Sequence, residues 1–100
     1  MLCSVIVRRL KEGATYEDFR EAWAPDTGFG VPVRVMNARS LDDDAEIISV
    51  GLVDLPKDRL PELLDHVAAS EAKRHDKIAH VIEKTVHRGI YEIVDDNDLS

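Results

Sequence analysis

The chain has one cysteine, Cys3, and so cannot close a disulfide within itself. That suits a reducing compartment, and a cytoplasmic location is expected. Long apolar runs are missing too. No stretch approaches the roughly 20 residues that a membrane span needs. The opening MLCSVIVRR has only a short apolar part, its basic residues follow rather than precede it, and no small-residue cleavage site appears, so no signal peptide is expected. Basic residues are in the minority, 13 against 20 acidic, for a net charge of −7. That balance argues against nucleic acid and against anionic membranes as partners. Repeats, low-complexity tracts and interdomain linkers are absent. Cofactor and metal signatures are absent as well. Gly28-Phe29-Gly30 lacks a P-loop lysine and precedes a strand rather than a helix. Asp42-Asp43-Asp44 lacks the spacing of a calcium loop. His75 and His80 are five apart, where a helical pair needs four. The expectation is no metal and no cofactor.

What is present is an ordered series of hydrophobic patterns. A short strand-like run, Leu2 to Val7, is followed by a helical one, Thr15 to Ala24. Thr15 is a candidate N-cap, with Glu17 and Asp18 placing negative charge in the first turn. Tyr16, Phe19 and Trp23 form one stripe, and Pro25 stops the helix. Two strands follow, Val31 to Ala38 and Glu46 to Val53, joined through the three aspartates. A long helical region, Asp58 to Lys84, opens with Asp58 as candidate N-cap and Pro61 in its first turn. Its stripe runs Leu60, Leu64, Val67, then Ile78 and Ile82, but holds Glu71 and His75 in the middle. Either the helix breaks near Ser70 to Arg74 or those polar groups meet something, and two helices are expected. A last strand spans Val86 to Val94. The order is β-α-β-β-α-β. It predicts an α+β, ferredoxin-like sandwich: a four-stranded antiparallel sheet, order β4-β1-β3-β2, with helices on one face. One domain over residues 1–94 and an acidic tail over 95–100 are expected.

Every strand carries apolar residues on both faces. Cys3, Val5 and Val7 are uniformly apolar and are placed under the helices. The other face then mixes Ile6, Met36, Ile47 and Val53 with Ser4, Arg8, Arg34 and Ser49. Left open, such a face exposes an apolar patch. A second copy packed sheet to sheet covers it, so a C2 homodimer is expected.

With that order, length and two-faced sheet, the chain resembles the dimeric α+β barrel superfamily, in the style of antibiotic-biosynthesis-monooxygenase-like domains. The resemblance covers residues 2 to 94. Its local echoes are the Phe19 to Trp23 helix, the Gly28-Phe29-Gly30 loop and Gly89-Ile90-Tyr91-Glu92 in the last strand. It implies a homodimer with a pocket between sheet and helices. It also implies cofactor-independent monooxygenase or isomerase-like chemistry on a small organic molecule. The haem-degrading branch is similar in having an Asn, a Trp and a His around its pocket. Here the one tryptophan is Trp23 and no Asn lies in the first strand, which disfavours haem degradation.

The candidate catalytic residues are Arg34, Glu71, His75 and Tyr91. Glu71 and His75 have the helical spacing at which a carboxylate orients a histidine for acid–base work; an ordinary ion pair has the same spacing. Arg34 suits a carboxylate or enolate substrate, and Tyr91 can donate a proton to an oxyanion. The candidate substrate-binding residues are Phe19 and Trp23, which can wall an aromatic pocket, with Arg88 and Glu92 on the last strand. Arg34, Arg88 and Glu92 are expected on the non-helix face with Ser4 and Arg8, where Arg8 or Arg88 can meet Glu92. The alternative function is a non-catalytic binding or assembly protein, in which these polar sheet residues only specify the dimer interface. Cys3, without a basic neighbour, reads as a small hydrophobe.

Overall fold

The structure is a computed structural model that describes residues 1–23 and 30–100. The elements run β1 Leu2–Leu10, α1 Tyr16–Trp23, β2 Val33–Arg39, β3 Glu46–Val53, α2 Leu60–Ile78 and β4 Ile82–Glu92, with a 3-10 turn at Lys57–Arg59 before α2. The strands form one sheet, order β2-β3-β1-β4, with every pairing antiparallel. This is the expected ferredoxin-like α+β fold. Pro25 and most of the Gly28-Phe29-Gly30 loop fall outside the described residues. After Glu92 the chain has no helix or strand and is exposed.

Local chemistry explains the boundaries. The turn into α1 uses Gly13 at φ 84°, a conformation that a side chain disfavours. Thr15 then caps α1 reciprocally: its Oγ1 accepts the Asp18 amide at 3.2 Å, and Asp18 Oδ2 accepts the Thr15 amide at 2.8 Å. In the β2–β3 hairpin, Asp43 accepts from the Ala45 amide at 2.9 Å and from Arg9 Nη1 at 2.8 Å. The backbone closes there with the Ser40 amide donating to the Glu46 carbonyl at 2.9 Å.

The second helix departs from expectation. It is continuous from Leu60 to Ile78, with no break near Ser70 to Arg74. Asp58 lies in the 3-10 turn, and the N-cap is Arg59, without a side-chain cap bond. The helix also ends earlier. Ile82, counted in the helical stripe, opens β4, which spans Ile82–Glu92 rather than Val86 to Val94. β-Branched residues at 81, 82, 85 and 86 favour the extended chain.

The two faces of β1 are reversed from expectation. Leu2 and Leu10 are 2% exposed, and Leu2, Ser4, Ile6 and Arg8 face the helices. Cys3, Val5 and Val7 take the opposite face, and cross-strand register carries the reversal into β3. There Ile47, Ser49, Gly51 and Val53 face the helices, while Ile48, Val50 and Leu52 face away. In β2 the expected sides hold, with Val33 and Val35 toward the helices and Arg34 and Met36 away from them. The uncovered face is therefore more apolar than anticipated, with Val5 between Val50 and Gly89 across the sheet. The main core, Leu10, Phe19, Ile47, Ile78 and Val81, packs at the end of the sheet where α1 meets the C-terminal turn of α2. Toward the other end, α2 and the sheet are separated by a cavity. Among the described residues no helix is long and apolar enough to cross a membrane.

Candidate functional site

The cavity holds about 330 Å³ and lies between α2 and all four strands. Its two ends differ because β1 and α2 each change character along their length. At one end lie Leu2, Val33, Val53, Leu60 and Leu64. At the other lie Arg8, Ser49, Glu71, Arg74, His75 and Arg88. Leu64 and Ile90 are 45% and 43% exposed and Arg88 is exposed, so the cleft opens between α2 and the β4 edge.

Glu71 and His75, the polar interruption of the α2 stripe, do meet something. Glu71 and Arg74 form an ion pair, Oε1 to Nη1, one helical turn apart. The Arg74 guanidinium lies 5.4 Å from the centre of the Trp23 ring, which places Trp23 under the polar end. Across the cleft, Arg88 Nη2 lies 3.3 Å from His75 Nε2. Arginine can only donate, so Nε2 accepts and the imidazole carries its proton on Nδ1. Glu71 Oε2 is also 3.8 Å from Nε2, a contact that would favour a charged ring. The neutral form wins. Burial lowers the His75 pKa from 6.5, Arg88 lowers it further, and Glu71 opposes them only in part.

Arg8 is the least expected member. It is 2% exposed, its guanidinium 5.7 Å from the centre of the Phe19 ring. Nη1 donates to Ser49 Oγ at 3.3 Å, and Ser49 Oγ donates to Asn37 Oδ1 at 2.6 Å, a relay across three strands. Burial first, and Arg88 next, push the Arg8 pKa from the usual arginine range down to about 10, so it remains charged at neutral pH. Among the described residues, neither Arg8 nor Arg88 has a carboxylate within ion-pair distance. Among the described residues Glu71 pairs with Arg74, which leaves the Arg8 and Arg88 charges in surplus at this end, in a chain whose net charge is −7.

The sequence candidates thus divide. Glu71, His75, Arg88 and Trp23 line the cleft. Phe19 does not; it is fully buried behind Arg8. Arg34 is exposed on the opposite face. Tyr91 is on that face too, folded back over Gly89 to reach His87 Nε2 at 2.6 Å. Glu92 meets Lys57 at 3.6 Å rather than Arg8 or Arg88. Ser4, Arg8, Ser49 and Arg88 sit on the helix side of the sheet, so they are not placed to specify a sheet-to-sheet interface. Arg74 was missed, although a signal existed: it continues the Val67, Glu71, Ile78 spacing and so stands where the helix is buried. Asn37 and Ser49 had no such signal, since their meeting depends on strand register. Among the described residues no three metal-ligating side chains converge.

Comparison with solved structures places this fold among known ones. A protein from Chloroflexus aurantiacus, assigned the name antibiotic biosynthesis monooxygenase, superposes with a TM-score of 0.66 at 13% identity, over 99% of this chain and 98% of the other. A protein of the same assigned name from Nitrosomonas europaea gives 0.66 at 20% identity, over 95% and 100%. A protein from Agrobacterium tumefaciens gives 0.60 at 20% identity, over 92% of each chain. No protein-family model matches the chain, and no curated protein matches it significantly. At these identities the likeness is one of fold.

Proposed function

We propose that this chain binds a small organic molecule in the cleft between α2 and the sheet, and acts on it by removing a proton. The observation that carries this reading is His75 at the polar end of the cleft with Arg88 Nη2 3.3 Å from its Nε2, where burial and Arg88 both lower its pKa and favour the neutral ring. A neutral imidazole is a competent general base, and a cation next to it stabilises the anion that forms. The Arg88 N–H leaves His75 Nε2 for a ligand oxygen, the freed Nε2 takes a proton from an activated C–H or O–H of the ligand, and the electron pair moves to that oxygen. Arg88, already in contact with His75, and Arg74 on the same helical face hold that oxyanion. Glu71 fixes Arg74 against Trp23. Reprotonation at another atom completes an isomerisation. Reaction with dioxygen completes an oxygenation in which a CH2 group and O2 give C=O and H2O, the substrate supplying the electrons. The names of the two monooxygenase-like neighbours support the second outcome. The apolar outer face, with Val5, Val7, Ile48 and Val50 at its centre, supports a homodimer formed through it.

The test is deuterium incorporation. A panel of 1,3-dicarbonyl and phenolic carbon acids is incubated with the protein in D2O and followed by proton NMR. At least one compound should exchange its activated C–H faster with protein than without, and His75→Ala should abolish the acceleration. Equal rates with and without protein across the panel, or full acceleration by His75→Ala, would sink the reading.

A further inference from the structure

We infer that the ligand of this cleft is an organic monoanion, a carboxylate on an apolar body, with the carboxylate seated against Arg8 and the body running toward Leu60 and Leu64. The inference rests on the cleft being the ligand site and adds what kind of molecule fills it.

The first support is where charge is buried. Arg8 is 2% exposed, fully charged at neutral pH, and has Ser49 as its polar partner rather than a carboxylate. Buried charges in proteins are ordinarily paired, because removing an ion from water costs far more than a neutral hydrogen bond returns. The chain has 20 acidic residues, and among the described ones none is brought within ion-pair reach of Arg8. Glu71, the carboxylate of the cleft, is engaged with Arg74. A ligand carboxylate completes the set, and the planar guanidinium matches its two oxygens.

The second support is the count. Of the two surplus charges, the one on Arg88 is exposed and screened by water, and it lies against His75, where the oxyanion develops. The one on Arg8 is buried and needs a single counter-charge. One buried cation calls for a monoanion rather than a doubly charged phosphate. The third support is the gradient along the cleft. Moving from Arg8 to Leu2 along β1, and from Glu71 to Leu60 along α2, the lining turns apolar with the exception of Ser4, and carries no charge. A polar head therefore has one place to go, and an apolar body the other.

The experiment uses the full chain and six probes: naphthoate and decanoate, their neutral amides naphthamide and decanamide, and the phosphate esters naphthyl phosphate and decyl phosphate. Affinities come from calorimetry, and the site from backbone NMR shifts. At least one carboxylate should bind with shifts at Arg8, Ser49 and Leu64, and its amide should bind at least about tenfold more weakly. Arg8→Gln should erase that preference while Arg8→Lys retains part of it. Arg88→Gln, at an exposed position, keeps the test informative if Arg8→Gln does not fold: it should leave the preference of carboxylate over amide in place, and loss of that preference in Arg88→Gln overturns the seat at Arg8. Amides binding in the cleft as tightly as carboxylates overturn the inference and leave the cleft reading standing. Phosphates binding more tightly than carboxylates overturn the monoanion assignment. No cleft shifts with any probe overturn both.

Discussion

Replacing Arg8 with methionine should make the empty protein more stable. At neutral pH Arg8 is charged in both the folded and the unfolded chain. Folding lowers its pKa from the usual arginine range to about 10. At 1.36 kcal/mol per pH unit, the folded state holds that charge about 3 kcal/mol less favourably than water does. The sign is that of a base with a depressed pKa. The penalty is present in full below about pH 10 and fades only as the pH rises from there toward the pKa of the unfolded chain's arginine. The guanidinium borders a cleft that opens to solvent, so about 3 kcal/mol is an upper figure. Against it stand two losses: the bond to Ser49, worth about 1 kcal/mol, and the approach to the Phe19 ring, worth about 1 kcal/mol. Methionine fills a similar volume, and Ser49 keeps its bond to Asn37. The net expectation is a gain of up to about 1 kcal/mol, or a Tm higher by at most about 4–8 °C in a domain of this size. Denaturant unfolding followed by circular dichroism, at one fixed protein concentration, measures it. A loss of more than about 1 kcal/mol would mean that Arg8 is a structural asset, and the case for a ligand counter-charge would fall with it.

Three further outcomes are expected. The His75 ring should titrate below 6.5 by NMR, and Arg88→Ala should move its midpoint upward. Stability linked to His75 should be intact above pH 6.5 and decline as the pH falls through the lowered pKa, because the unfolded chain then binds more protons; a midpoint at or above 6.5 contradicts the neutral-base assignment. Val50→Lys places a charge at the centre of the outer face and should turn a dimer into a monomer in sedimentation analysis, an unchanged dimer counting against that interface. Thr15→Ala removes the acceptor for the Asp18 amide and should cost about 1 kcal/mol in the same unfolding assay; no change would show that the cap is not holding α1.

Much of the architecture was legible in the residues alone. Periodicity set out the element order, the Thr15 and Asp18 pair marked the start of α1, and the aspartates marked the hairpin, because these are local effects of backbone hydrogen bonding within a few residues. The break assigned near Ser70 to Arg74 shows where such reasoning stops. A polar residue in an apolar stripe signals either a bend or a partner, and a partner on another element leaves no trace in helical spacing. Here the partners of Glu71 and His75 were Arg74 one turn away and Arg88 on β4.

The faces of β1 were beyond the sequence for a related reason. Alternation separates Cys3, Val5 and Val7 from Leu2, Ser4, Ile6 and Arg8, but it does not say which set a helix covers when both contain large apolar groups. The more apolar set proved to be the open one, and the covered side held the arginine. Sequence determined that this chain is a four-stranded α+β domain with an acidic surplus, since pattern and charge are properties of the string. Only the tertiary structure decided that three arginines from β1, α2 and β4 would share one end of a cleft. That convergence depends on strand register and helix placement, which arise from contacts between residues far apart in the chain.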